Sequence, residues 1–358
     1  MASRLGRNGS DTEARRALAG PRVAPTLGVV RTMHGRRLVS LALLAGVLGS
    51  VALGCTRTPT PTPTPDGSSR QASPPPPSPQ QTSGNPRGLI AFVSDREGAE
   101  ALYLMDADGS NVRRLTEQLP AVSHPAWSAD GQRLAFNAGT SRASDVYLIS
   151  VDGSGLTQVT RDAAANFYPS WSPDGRRLAF TSNRDGDWDI YVMDVDGSNV
   201  RQLVNSPGLD DKPQWSPDGS RIGFATTRSG VPELRAVDAD TGVEEPLLPR
   251  PVRGINPAWT VDGSRLAYNV VTSAGFDIAV MAADGTGWRS VVAESASEER
   301  PRWSPDGRSL AYYSDADGSW DVYVVDVETG TSRALTQTPG FDGQPAWQPV
   351  PGAADAGS

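Results

Sequence analysis

Trp171-Ser172-Pro173-Asp174-Gly175 is the stretch on which the fold turns. It recurs as Trp127-Ser-Ala-Asp-Gly131, Trp215-Ser-Pro-Asp-Gly219, Trp259-Thr-Val-Asp-Gly263 and Trp303-Ser-Pro-Asp-Gly307, and Trp347 opens a degraded copy. Neighbouring tryptophans in this series are 44 residues apart in every interval. A fixed period of this size marks a repeat architecture and outranks local propensity.

The unit that starts at Trp171 reads as four short strands. Residues 169–172 form the first, and Ser172-Pro-Asp-Gly175 has the residues of a type I turn. Apolar alternation in Arg177-Leu-Ala-Phe-Thr-Ser182 gives the second, and a hairpin turn follows at 183–187. Residues 189–194 give the third, and 200–203 the fourth. Four antiparallel strands per unit with no helix signal describe a blade of a β-propeller. The alignment needs no gaps: the aromatic nine residues after each tryptophan is Phe136, Phe180, Phe224, Tyr268 and Tyr312.

A step of 44 residues back reaches Ile90 and Phe92, so a further unit begins at Gly88 without its tryptophan strand. Gln344-Pro-Ala-Trp347 is a tryptophan strand without the rest of its blade. The two fragments complete each other. The expectation is an all-β, six-bladed β-propeller over 88–348, its ring closed by the C-terminal strand in the first blade, which leaves only short, protected edges. Proline stands two residues before each tryptophan, at 125, 169, 213, 257, 301 and 345. It has no N–H for a ladder, so the first strand is expected to be innermost, with one edge on the axial channel. The tryptophans are expected to pack between blades rather than stack on ligands.

The chain of 358 residues has a net charge of −8, unevenly distributed. Residues 1–87 carry 11 Arg and 3 acids; the remainder carries 22 basic and 38 acidic residues. An acidic body repels phosphate backbones, so no nucleic-acid partner is expected. Cys55 is the single cysteine, so no intrachain disulfide can form. His34-Gly-Arg-Arg37, an apolar run over 38–53 and then Gly54-Cys55 resemble a bacterial lipoprotein signal, although Ala52 stands where that family prefers Leu. The resemblance implies lipidation of Cys55 and an exported, membrane-anchored protein in the periplasm or on the cell surface. Residues 1–54 are read as the signal region, with Met33 expected to be the true start. Residues 55–87, rich in Pro, Thr and Ser, are read as a semi-rigid spacer. Residues 349–358 are read as a disordered tail.

The Trp-Ser-Pro-Asp-Gly, Leu-Ala-Phe, Asp-Ile-Tyr-Val-Met-Asp and Leu-Thr elements resemble the TolB-type propeller repeat over 88–348. TolB proper carries an additional N-terminal α/β domain and works in the envelope with the Pal lipoprotein and colicin-type partners. Here the lipoprotein-like signal and the spacer occupy that place, so the resemblance is to a TolB-like propeller rather than to TolB itself. Fold alone does not transfer the Tol–Pal role.

Catalysis has little to build on. Beyond residue 55 the one histidine is His124, which excludes a three-histidine zinc site, and no Gly-x-Ser-x-Gly elbow is present. No catalytic residue, metal or cofactor is expected. Asp-Gly turns such as Asp194-Val-Asp-Gly-Ser-Asn199 lack the spacing of a helix-flanked calcium loop and read as hairpin turns. The functional signal is variation within sameness. The residue before each proline is His124, Tyr168, Lys212, Asn256, Arg300 or Gln344, different in every blade. By symmetry these six form a ligand-binding set at one rim of the channel, joined by Phe167, Asp210, Asp211, Glu298, Glu299, Phe341 and Asp342 from the preceding loops. The expected function is a monomeric, tethered binding or scaffold protein for a protein or peptide. The alternatives are a carbohydrate-binding module, with Phe167, Tyr168 and Phe341 as stacking platforms, and a polymer-acting enzyme that uses His124.

Overall fold

Six antiparallel sheets stand in a ring. The structure, a computed structural model, describes residues 88–350 apart from 249, 250, 274 and 295. The signal region, Cys55, the spacer and residues 351–358 lie outside the described residues.

Blade 1 has the strand order Asp342–Trp347, Leu89–Ser94, Ala101–Asp106, Arg113–Arg114. The strand from the chain's far end is therefore its innermost member, paired antiparallel with Leu89–Ser94. Blades 2, 3, 5 and 6 follow the chain from inside outward, beginning at Val122–Trp127, Asn166–Trp171, Ile255–Trp259 and Glu298–Trp303. Blade 4 begins at Asp210–Trp215 and differs at its outer edge, where Glu244–Pro246 and Val252–Arg253 both pair with Glu233–Asp238. The innermost strands touch their neighbours right round the ring. The sequence reading holds in strand order, blade number and closure. The outermost strands are shorter than expected, as with Arg201–Gln202. The innermost strands begin earlier, so Asp210, Glu298 and their counterparts lie in strands and not in loops.

The core is divided among the blade interfaces. Each apolar cluster draws on two adjacent blades; one joins Ala135, Val146 and Leu148 of blade 2 to Trp171, Leu178 and Phe180 of blade 3. The tryptophan is the tie. Trp127, Trp171 and Trp303 each donate Nε1–H to a carbonyl of the preceding blade, at Ala346, Ala126 and Ala258, over 3.0–3.1 Å. An arginine of the preceding blade covers the indole, as with Arg133 over Trp171 at 4.8 Å and Arg265 over Trp303 at 4.6 Å. The buried indole thus gains area, a satisfied N–H and a cation–π contact.

The Ser-Pro-Asp-Gly turns are built alike. Gly175 N–H donates to the Ser172 carbonyl at 2.9 Å, and Ser172 Oγ donates to Asp174 Oδ1 at 2.6 Å while accepting from Arg177 N–H at 2.9 Å. Gly175 has φ +68°, which a side chain disfavours.

Replacement of Trp347 by Ala is expected to cost about 3–5 kcal/mol, the usual range for a buried tryptophan. Removal of 342–350 should cost more, because it opens two interfaces and exposes the edge of Leu89–Ser94. Calorimetric unfolding of both variants checks the order; a deletion less damaging than the point substitution would refute the closure argument.

Candidate functional site

The six varied residues before the prolines share an uncommon backbone. His124, Tyr168, Lys212, Asn256, Arg300 and Gln344 have φ between +54° and +59°, the left-handed region. The cause is a β-bulge in every innermost strand. Ser123 pairs with Asn137 and Ala126 with Ala135, so His124 and Pro125 together face the single residue Phe136. The same shift recurs at Tyr168-Pro169, Lys212-Pro213, Asn256-Pro257, Arg300-Pro301 and Gln344-Pro345. Proline offers no N–H and closes the right-handed helical region to the residue before it, so the bulge takes the left-handed one.

The bulge turns these side chains into the channel. His124 and Arg300 are each 7% exposed and Asn256 is 2% exposed, so the set lies inside the channel and not on a solvated rim. Tyr168 is its centre. The His124 ring lies 4.1 Å from it, Lys212 Nζ 5.0 Å and Arg300 Cζ 5.2 Å from its centroid. Tyr168 belongs to blade 3 and Arg300 to blade 6, opposite it in the ring, so the tyrosine crosses the channel. Gln344 Oε1 accepts the His124 N–H at 2.7 Å. Asn269 Oδ1 accepts both Asn256 Nδ2–H and Arg300 N–H at 2.9 Å.

His124 is held neutral. Burial and the charges of Arg300, Lys212 and Arg302 push it well below the usual histidine range, against the hydrogen bond to Asn137. Asn137 Nδ2 donates to Ser123 Oγ at 2.7 Å, so its Oδ1, 2.8 Å from His124 Nδ1, is the acceptor and the histidine proton sits on Nδ1.

Two sides differ. Toward the strand starts, Asp211 pairs with Lys212 Nζ, and Glu299 accepts the Tyr313 hydroxyl at 2.7 Å. Burial raises Glu299 and carries Tyr313 well above the usual tyrosine value. Phe167 is buried against Trp188, so it is not an open stacking platform, and half-buried Phe341 packs edge-on against Tyr313. Toward the turns lies a cavity of about 190 Å³ whose lining includes Tyr168, Lys212, Asn256 and Arg300, the prolines of blades 2 to 5 and every repeat tryptophan except Trp215. It reaches Val261, Pro305 and Pro349 of the turn face.

Sequence reasoning missed two polar residues of this cavity, Gln214 and Arg302. They occupy the position before the tryptophan, which is Ala126, Ser170, Ala258 and Ala346 in the other blades. The signal was the same variation already used one proline earlier.

Glu298 was placed with the recognition set, but it is an orphan. Three positions before the proline, Asp342 pairs with Arg96 at 3.0 Å, Asn166 accepts from Arg184 at 3.0 Å and Asp210 pairs with Arg228 at 3.2 Å. Blade 6 has Ala316 where those blades have arginine. Glu298 is fully buried, no side chain among the described residues pairs with its carboxylate, and burial with nearby Asp277 and Glu294 pushes it up to about 7.

This closed, six-bladed, all-β ring with a furnished axial channel is a β-propeller. The TolB beta propeller domain matches residues 81–350, and the chain belongs to that family. Curated relatives match over short stretches. Tol-Pal system protein TolB of Geobacter metallireducens is 47% identical over 47 residues, 13% of this chain and 11% of that protein. An uncharacterized peptidase, YuxL of Bacillus subtilis, is 48% identical over 46 residues, 13% of this chain and 7% of that protein. The chain spans well under a fifth of either relative's length. Among solved structures, TolB of Acinetobacter baumannii superposes with a TM-score of 0.67 at 23% identity, covering 75% of this chain and 68% of that one. A putative TolB of Agrobacterium tumefaciens gives 0.57 at 21% identity, covering 75% and 100%. Both likenesses concern the fold.

Two outcomes are expected. Lys212→Val should be less stable than Lys212→Met by about 1 kcal/mol, because a β-branched side chain conflicts more with φ +56° than an unbranched one; equal denaturation midpoints would refute the strain. Glu298 keeps its proton to higher pH when folded than when unfolded, so stability is full below about 4.5 and is lost as pH rises to about 7. Glu298→Gln should therefore gain roughly 3 kcal/mol over wild type at pH 8 and little at pH 4.5, at about 1.4 kcal/mol per pKa unit. Urea titrations at both pH values measure it.

Proposed function

We propose that this protein is an exported envelope propeller that binds a protein or peptide partner through its axial channel. The observation that carries this reading is the set of six different side chains held at one position by one repeated bulge. Identical backbone with diverse polar and aromatic side chains is what a recognition surface needs, and strained backbone retained in every blade favours a functional reading. Membership of the TolB propeller family supports an envelope setting, and relatives named for the Tol-Pal system support a protein partner. We take the protein to act as a monomer, tethered through lipid on Cys55 by the spacer 55–87, at the periplasmic or outer surface.

Binding is favoured over catalysis by the state of His124. Its Nδ1–H is directed at an amide and not at a carboxylate, and its ring packs on Tyr168. Carbohydrate recognition is disfavoured by the burial of Phe167. In vivo cross-linking of the full chain, followed by co-purification, tests the reading. A partner captured by wild type should be lost from the Lys212→Ala, Arg300→Ala double variant. An unchanged set of captured proteins would place binding elsewhere.

A further inference from the structure

The axial cavity holds two arginines, Arg300 and Arg302, that form no ion pair among the described residues, although Glu299 lies within the field of Arg300. Arg300 is only 7% exposed, and its Nη1 has no hydrogen-bond partner among the described residues. Arg302, one residue past the proline, lines the same cavity, and its Nη1 donates to the Pro301 carbonyl at 2.9 Å. Among the described residues no ion pair reaches either guanidinium. The acids nearby are engaged: Asp211 holds Lys212, and Glu299 holds the Tyr313 hydroxyl. The remaining titratable neighbour, His124, is neutral. Burial and the adjacent Arg300 push Arg302 down to about 9, which leaves it charged at neutral pH. A local excess of positive charge therefore sits inside a chain whose net charge is −8.

A second orphan has the opposite polarity. Asn256 lines the cavity and its Oδ1 is buried without a donor. The walls between these groups are proline and tryptophan. A volume of about 190 Å³ is below the ~300–1,000 Å³ of pockets for drug-sized ligands, so it suits one side chain or a chain end rather than a nucleotide.

We propose that the cavity is a seat for a single carboxylate carried by a peptide, with Arg300 and Arg302 taking the carboxylate and Asn256 Oδ1 accepting a peptide N–H. This deepens the partner-binding reading above and rests on it. The chemistry fits: guanidinium groups match a planar carboxylate through paired N–H donors, and the peptide supplies the donor that Asn256 lacks. Two unpaired cations in a protein interior oppose folding. Their retention in one cavity is accounted for by a ligand that neutralises them.

The test is calorimetric titration of the full chain, at neutral pH and low salt, with four probes. These are acetyl-trialanine as the free acid, the same peptide as the amide, acetyl-Ala-Ala-Glu-amide, and inorganic phosphate. At least one carboxylate peptide is expected to bind about tenfold or more tightly than the amide. Preference for the free acid assigns a chain terminus, and preference for the glutamyl peptide an acidic side chain; both support the seat. Arg302→Gln should abolish the preference while leaving the melting temperature unchanged or raised, since it removes a half-buried charge that forms no ion pair among the described residues. Arg302→Lys should retain part of it. Equal binding of acid and amide, no binding of either carboxylate peptide at millimolar concentration, or tighter binding of phosphate would overturn the proposal. If the peptides fail while cross-linked capture still depends on Lys212 and Arg300, the seat is wrong and the partner-binding reading stands.

Discussion

The structure depends on a ring that closes through its own ends. No blade here has a core of its own: each apolar cluster is assembled from the second and third strands of one blade and the tryptophan side of the next. A blade at an open end would leave one face in water, and the first and last blades meet only because Asp342–Trp347 joins the sheet of Leu89–Ser94. That strand places Trp347 against Ala311, Val322 and Val324 of blade 6, beside Ile90 and Phe92 of blade 1. It also supplies Ala346, whose carbonyl receives the Trp127 indole of blade 2. One short strand thus completes the interfaces on both its sides, and tight closure is what fixes the width of the channel.

Closure also makes the bulges affordable. A non-glycine residue at positive φ costs of order 1–3 kcal/mol and persists only where its surroundings over-determine it. Six occur here on innermost strands wedged between neighbours, with the proline removing the one donor the bulge would strand. The device separates two requirements. The backbone geometry is the same in all blades, whereas the side chain it aims inward is free to differ. Recognition chemistry can then vary from His124 to Gln344 without disturbing blade packing.

Much of this was legible in the sequence because it is periodic. A constant spacing of tryptophan, proline and aromatic positions gives blade number, strand order and the closing strand, and one position of disagreement points to the channel. What periodicity cannot carry is local conformation. The pattern around Pro169 fits a regular strand as well as a bulged one, so the left-handed turn of Tyr168 and the burial of His124 were not readable. Blade 4's outer edge was unreadable for a similar reason: Pro246 and Pro251 break the ladder, and its two halves pair separately. Arg302 was missed, and the isolation of Glu298 was not read, for a different reason. Each is a departure from its own column, visible only when that column is compared across all six blades. Glu298 further needs the companion column, in which Ala316 replaces the arginine that serves Asp342, Asn166 and Asp210.

The distribution of charge then defines what can reach the channel. The turns on the face where the cavity emerges carry Asp130, Asp174 and Asp218, and hydrogen bonds from Ser128, Ser172 and Ser216 hold their carboxyls below the usual range. Those carboxylates therefore stay ionised at any physiological pH, each with an arginine beside it (Arg133, Arg177 and Arg221), while Arg300 and Arg302 lie deeper, between apolar walls. A polyanion such as a nucleic acid or an anionic lipid surface meets the acidic turns first and is repelled within roughly a Debye length of about 8 Å. A neutral peptide segment that ends in, or projects, one carboxylate passes that zone with little penalty. It regains the attraction where water is excluded and the field of the arginines is least screened. Ionised turn carboxylates outside and an inner pair of arginines together favour a single buried anion on an uncharged stem over a polyanion.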